Sequence, residues 1–276
     1  MSLQMNNLYP RKSGGKVILM IILVGISILG SSQPLNLLNS SIKVVVIDAG
    51  HGGKDPGCAG TSHVKEKDVA LEIALKLGKM LIESLADVNV IYTRKDDRFI
   101  ELRQRAAIAN RNKADLFISV HCNAHTNPQV NGAETYVMGL HRNSSNLEVS
   151  KRENNALKLE LNYQQNGKYS DFDPYSPEAH IILSLYQNAF LDYSINLASK
   201  VQDKVRRDGR IRDLGVNQAG FVVLWKTTMP SILVETGYLT NPKNEKYLTS
   251  EEGKIESASN IFEAVKEFKQ VLELQR

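Results

Sequence analysis

Cysteine is nearly absent: only Cys58 and Cys122 occur in 276 residues. Two thiols cannot staple a disulfide scaffold, so the fold must rest on a hydrophobic core. Both read as unpaired structural thiols, and neither is assigned a role. Excess charge is also scarce. The formal net charge is +4, and Arg11, Lys12 and Lys16 supply three of those charges before residue 33 in a stretch without an acid, leaving the body near +1. A nearly neutral body excludes the basic face of a nucleic-acid binder. There is no internal repeat and no low-complexity block, and no apolar run is long enough to cross a membrane comfortably.

The one sustained apolar run, residues 17–29, follows the basic flank and precedes Gly30-Ser31-Ser32-Gln33-Pro34. Those are the three zones of a secretory signal peptide. Residues 1–32 are therefore expected to be an export signal; the alternative is an uncleaved signal anchor, the only membrane contact expected. The absence of a cysteine directly after the run argues against a lipid anchor. Residues 33–42 read as a linker. At 42% hydrophobic, residues 43–276 suffice for one α/β domain: a twisted, mostly parallel sheet with helices on both faces and an inserted segment over residues 140–180.

The chain is organised around Val44-Val45-Val46-Ile47-Asp48-Ala49-Gly50-His51-Gly52-Gly53. The β-branched run reads as a buried strand and the glycines as the tight turn after it, which sets His51 at the strand's carboxyl end, where ligand sites of open α/β sheets collect. A Gly- and Pro-rich loop over residues 54–62 follows. Val69, Ile73, Leu77 and Met80 then recur at helical spacing, and one turn back from Val69 the same buried face holds Glu66. Residues 88–92 read as a second strand and 100–112 as a helix with Leu102, Ala106 and Ala109 inward. Arg94, Arg98, Arg103 and Arg105 are expected mostly in solvent or paired with Asp96, Asp97 and Glu101.

Leu116-Phe117-Ile118-Ser119-Val120-His121 is a second buried strand ending in histidine, with loop expected from Cys122. Further strands are predicted over 132–138, 220–225 and 231–235. A polar helix is predicted over 148–161, and a long helix opening at Ser176 or Pro177 with Ile182, Leu185, Ala189, Leu197, Val201 and Val205 on its packed face. A closing helix over 244–276 carries Ile255, Ile261, Phe262, Val265 and Phe268.

His51, Glu66 and His121 form a two-histidine, one-carboxylate set, the donors of catalytic zinc sites that leave a fourth position open. Such ligands suit one Zn²⁺ rather than magnesium or calcium. Glu235, at the end of the buried run Ile232-Leu233-Val234, is the candidate general base and acid. Asp48 is placed either to orient a ligand histidine or to cap the turn. His63, His125, His141 and His180 are read as incidental, with His125 the one nearest the cleft.

The four blocks 46–53, 65–67, 118–124 and 218–241 resemble the zinc-dependent N-acetylmuramoyl-L-alanine amidases of the bacterial cell wall, over everything from about Lys43 onward except residues 140–180. The resemblance implies that the positions of His51, Glu66 and His121 hold zinc and that of Glu235 is catalytic. It also implies a substrate, the amide between N-acetylmuramic acid and the L-alanine of the peptidoglycan stem peptide, and hence a location in the periplasm or cell envelope. Cys122 departs from the alanine common at its position, which leaves the ligand beside it in place. Members that separate daughter cells carry a similar insertion, which can cover the zinc until an activator protein displaces it; here residues 140–180 would do the same, with Glu153 or Glu160 filling the open position, or else form a passive surface loop. The competing readings are an exported zinc hydrolase of another cell-wall amide and a non-catalytic peptidoglycan-binding relative.

Overall fold

The computed structural model describes residues 41–140, 143–160 and 190–274. The leader, most of the linker, Ile182, Leu185, Ala189, His141 and His180 lie outside the described residues. The described elements run β1 (Val44–Ala49), α1 (Glu66–Ser84), β2 (Asn89–Tyr92), α2 (Leu102–Arg111), β3 (Leu116–Asn123), β4 (Ala133–Met138) and α3 (Ser144–Asn154), the last continued by a 3₁₀ turn, Asn155–Leu159. Then come α4 (Leu191–Asp208), β5 (Asp213–Ala219), α5 (Val222–Trp225), β6 (Ser231–Tyr238), α6 (Pro242–Thr249) and α7 (Glu251–Leu274). Among the described residues no helix is long and apolar enough to cross a membrane.

Six strands form one sheet in the order β2-β1-β3-β6-β4-β5. β2, β1, β3 and β6 run parallel, β4 is antiparallel to β6, and β5 is parallel to β4. Because strand side chains alternate, each central strand feeds two cores. Val45, Ile47, Leu116, Ile118, Val120, Ile232 and Val234 face α1, α4 and α7. Val46, Phe117 and Leu233 face the other way, with Leu102 of α2, Val149 of α3, Leu157 and the apolar residues of α5. The same parity carries Asp48, Ser119, His121 and Glu235 onto this second face, where α3 lies.

Three expectations are corrected. Residues 220–225 are not a strand: Val222–Trp225 is a single helical turn, and the strand is Asp213–Ala219. A short apolar run has no periodicity to separate the two conformations, whereas the true strand is half-buried at a sheet edge and polar enough to read as loop. The closing helix is two. Asn241 caps α6 through the amides of Lys243 and Asn244, Ser250 breaks the chain, and its Oγ accepts from the Gly253 amide at the start of α7. That break leaves Ile255 exposed while Ile261, Phe262, Val265 and Phe268 are buried. β3 also continues through Asn123 rather than ending at His121, with a register shift against β6 between the two.

Candidate active site

The turn after β1 is shaped by its neighbours. His51 has φ 58°, a left-handed conformation uncommon for a residue with a Cβ. Two buried arginines brace it by its carbonyls. Arg94 donates to the oxygens of Ala49 (2.9 Å) and Gly50 (2.6 Å), and Arg105 to those of Ala49 and His51 (both 2.8 Å). Arg105 also pairs with buried Asp48 at 2.8 Å, and Asp48 accepts from Thr93 and Ser119. These partners commit Asp48 to the arginine and two hydroxyls rather than to His51 or His121, and Arg98, paired with Asp96, follows the expectation made for the arginines. Burial and Arg105 act in opposite directions on the Asp48 carboxyl, which ends up below its ordinary pKa. Gly50 is required by packing, since a Cβ there would lie 2.5 Å from the His121 ring.

Glu66 opens α1 and is 0% exposed. A helix N-terminus favours a carboxylate, and two backbone amides, one from the loop and one from β3, fix this one: Cys58 N–H donates to Oε2 (2.9 Å) and Cys122 N–H to Oε1 (3.0 Å). Gly57, at φ 66°, lets the loop pass, because a Cβ there would sit 2.6 Å from Glu66 Oε2. The two cysteines are free thiols, and burial raises the pKa of both. They serve the site through backbone, not sulfur.

Four ligand atoms converge beyond the strand ends. His51 Nε2 lies 2.9 Å and His121 Nδ1 3.1 Å from Glu66 Oε1. Glu153 Oε2, from α3, lies 3.1 Å from His51 Nε2 and 2.9 Å from His121 Nδ1. All four ligand atoms fall within 4.8 Å of one another. Tetrahedral zinc with bonds of about 2.0–2.2 Å has ligand-to-ligand edges of about 3.3 Å. Close as they are, His51 Nε2 and Glu153 Oε2 are buried without a hydrogen-bond partner. Orphaned polar atoms aimed at one point are what a cation between them would satisfy, so the residues fit a metal ion.

The electrostatics agree. Burial lowers the His51 pKa, but Glu66, Asp55 and Glu153 outweigh it and hold the ring well above its ordinary value. His121 is likewise held at about 9 against burial by Glu153 and Glu66. Burial would keep Glu66 neutral, yet the two histidines hold it well below the usual carboxylate range. The histidines thus gather positive charge in a place with a surplus of carboxylate, the role a divalent ion fills.

Glu235 stands beside His121 in the β3–β6 register and is 0% exposed. Its Oε1 lies 3.4 Å from Arg152 Nη2, and its Oε2 has no hydrogen-bond partner. Burial and then the charge of Glu153 push its pKa well above the ordinary value, although Arg152 opposes them. A carboxyl disposed to hold a proton here suits general acid–base work.

Some residues of the site carried no signal in the sequence. Asp55 Oδ2 accepts from His51 Nδ1–H at 2.9 Å, the kind of contact that orients a ligand histidine; it lies in a loop without periodicity. Arg152 donates to Ala124 O, Asn123 Oδ1 and Glu153 Oε1, each at 2.9 Å. Glu160 does not reach the cluster; its Oε1 accepts from Leu102 N at the start of α2. His125 and His63 are exposed and apart from the cluster.

Residues 45–267 match the family model for N-acetylmuramoyl-L-alanine amidase. The chain is 34% identical over 238 residues to N-acetylmuramoyl-L-alanine amidase AmiA of Escherichia coli, covering 86% of this chain and 79% of that protein. It is 34% identical over 239 residues to AmiC of Neisseria meningitidis, covering 86% of this chain but spanning only 55% of that longer relative. Among solved structures, an N-acetylmuramoyl-L-alanine amidase from Clostridium difficile superposes with a TM-score of 0.60 at 29% identity, over 83% of this chain and 97% of that one. With the sheet, the buried histidine–glutamate cluster and these likenesses in agreement, the chain belongs to the N-acetylmuramoyl-L-alanine amidase family.

Proposed function

We propose that the protein is a zinc-dependent amidase that cleaves the bond between the lactyl carbonyl of N-acetylmuramic acid and the L-alanine nitrogen of the peptidoglycan stem peptide. His51, Glu66 and His121 would hold the zinc and Glu235 would carry the proton. The observation that supports this most is the convergence of four buried ligand atoms beside a buried, protonatable carboxyl. Zinc bound there polarises a carbonyl and makes a water acidic near neutral pH. The residues do the rest. Asp55 holds the His51 ring in orientation through Nδ1. Glu235 takes a proton from the attacking water and returns it to the amide nitrogen as the C–N bond breaks, so that a carboxylic acid and a free amine leave.

The same reading places the protein outside the cytoplasmic membrane, exported by residues 1–32, with residues 43–276 as the catalytic domain. It treats residues 140–180 as an inhibitory insertion: Glu153 fills the position that water and substrate need, so that turnover awaits a protein partner that withdraws α3. Glu153 supports this and Glu160 does not, since Glu160 is engaged elsewhere.

The test is metal content and release of amine-ended peptides from purified peptidoglycan, for the Glu153→Gln chain, in which the charge that closes the site is removed, beside the same chain carrying Glu235→Ala. One zinc in each, with turnover in the Glu235→Ala chain lower by about 10²- to 10⁴-fold, is expected. No zinc in either protein overturns the reading.

A further inference from the structure

Arg152 and Glu153 are adjacent on α3, and between them they reach the metal cluster and the oxygen acceptors beside Glu235. Glu153 Oε2 sits in the metal cluster, as a substrate carbonyl oxygen would. Beside it, Arg152 Nη2 lies 2.9 Å from Asn123 Oδ1 and 3.4 Å from Glu235 Oε1, while Nη1 lies 2.9 Å from the Ala124 carbonyl. One nitrogen, Nη2, is therefore held between the Glu235 carboxyl and the Asn123 oxygen, while its neighbour Nη1 takes the second acceptor, the Ala124 carbonyl. The acceptor character of Asn123 is fixed. Its Nδ2 donates to Glu134 Oε1 at 2.6 Å, and Glu134 is buried and also accepts from Tyr238 O–H (3.0 Å) and Asn217 Nδ2 (2.8 Å). A carboxylate with those donors leaves the Asn123 amide one orientation, with Oδ1 toward the site.

We propose that Asn123 Oδ1 and the Ala124 carbonyl form the subsite for the leaving amine of the substrate, and that Arg152 occupies it in this structure. The inference rests on the amidase reading above. In the ground state the scissile nitrogen carries one hydrogen, which one acceptor takes. When the C–N bond breaks, the nitrogen gains a second hydrogen from Glu235, and the other acceptor takes that. The pair thus binds the departing amine better than the intact amide, which lowers the barrier rather than merely tightening substrate binding. Glu134 is a positioning residue that acts through Asn123.

The measurement uses the full chain carrying Arg152→Ala, which vacates the subsite, together with Glu153→Gln, which removes the charge held in the cluster (the Arg152→Ala parent), with N-acetylmuramoyl-L-alanyl-D-isoglutamine as probe. Adding Asn123→Ala is expected to lower kcat by about 10- to 100-fold with KM changed far less and zinc content unchanged. Asn123→Asp, which sets carboxylate against carboxylate, is expected to lose activity. Combining Asn123→Asp with Glu134→Gln is expected to regain most of it, because the amide nitrogen introduced by the second change restores the orienting hydrogen bond in reverse. That rescue keeps the idea testable if the alanine variant folds poorly. In an inactive Glu235→Gln chain, Arg152→Ala is expected to tighten probe binding severalfold. Unchanged kcat on losing Asn123, or no rescue by the paired change, overturns the inference while probe cleavage in the Arg152→Ala parent keeps the amidase reading. If no form of the chain cleaves or binds the probe, the amidase reading itself has failed.

Discussion

His51 shows how much support a single site residue receives. Its backbone is left-handed, its carbonyl and the two before it are held by arginines, and its ring is steered through Nδ1 by Asp55. A carboxylate on the far nitrogen fixes the tautomer and makes the near one a better donor. Asp55→Asn should therefore weaken zinc binding by about 10- to 100-fold, read by competition against a chelator of known affinity, with the fold intact by circular dichroism. Equal affinity in the two proteins would show that the turn alone orients the ring. The histidine itself was plain from its place after a buried strand. Asp55 was not, because a hydrogen bond across a loop leaves no spacing to read, and Asp48, the acid nearer the strand, was the more visible candidate. The structure commits Asp48 to Arg105 instead.

At the scale of elements, α3 reaches the cluster through Glu153. It buries Val149 against the second core while Arg152 and Glu153 enter the cleft, so it is held by packing at one end and by charge at the other. Glu153→Gln keeps the size and removes the charge that the two histidines and Arg152 attract. Turnover of peptidoglycan by this variant should rise about tenfold or more, which corresponds to loss of roughly 1.4 kcal/mol of closing free energy. Replacing residues 140–180 with a short linker should raise it at least as much. If neither change alters turnover, the segment is a passive surface element. The polar helix was visible in the sequence, but which of its acids points inward depended on how α3 docks. Glu153 faces the cluster, whereas Glu160 lies past the 3₁₀ turn and finds the amide of Leu102.

For the molecule as a whole, the centre of the sheet carries a buried ion pair rather than only hydrocarbon. Asp48 and Arg105 tie β1 to α2, and Thr93 and Ser119 draw in the β2 end and β3. Removing one partner strands the other charge in the interior, so Asp48→Asn should cost about 3–5 kcal/mol at neutral pH by denaturant titration. The pH dependence has a defined sign. The folded pKa of Asp48 is below the ordinary 3.8, so its contribution is fully present above that value and is lost as pH falls through the folded pKa. The stability gap between wild type and Asp48→Asn should therefore narrow below about pH 4. A gap that stays constant down to the acid limit would mean that Asp48 is not ionised in the fold.

Sequence alone determined the parts that depend on local pattern. β-branched runs leading to histidine gave two central strands, helical spacing placed Glu66 on a buried face, and the run before Glu235 gave a third strand, which continues past that residue to Tyr238. These were legible because period and burial are written in neighbouring residues. Only the tertiary structure decided what depends on residues far apart in the chain meeting across the sheet. It set the half-buried edge strand β5 beside β4, turned Val222–Trp225 into a helical turn, and used Arg94 and Arg105 to brace a turn rather than to meet solvent. It also brought Glu153, Arg152 and Asn123 together at the cluster. Such meetings are set by how helices dock on a sheet, and no spacing along the chain encodes them.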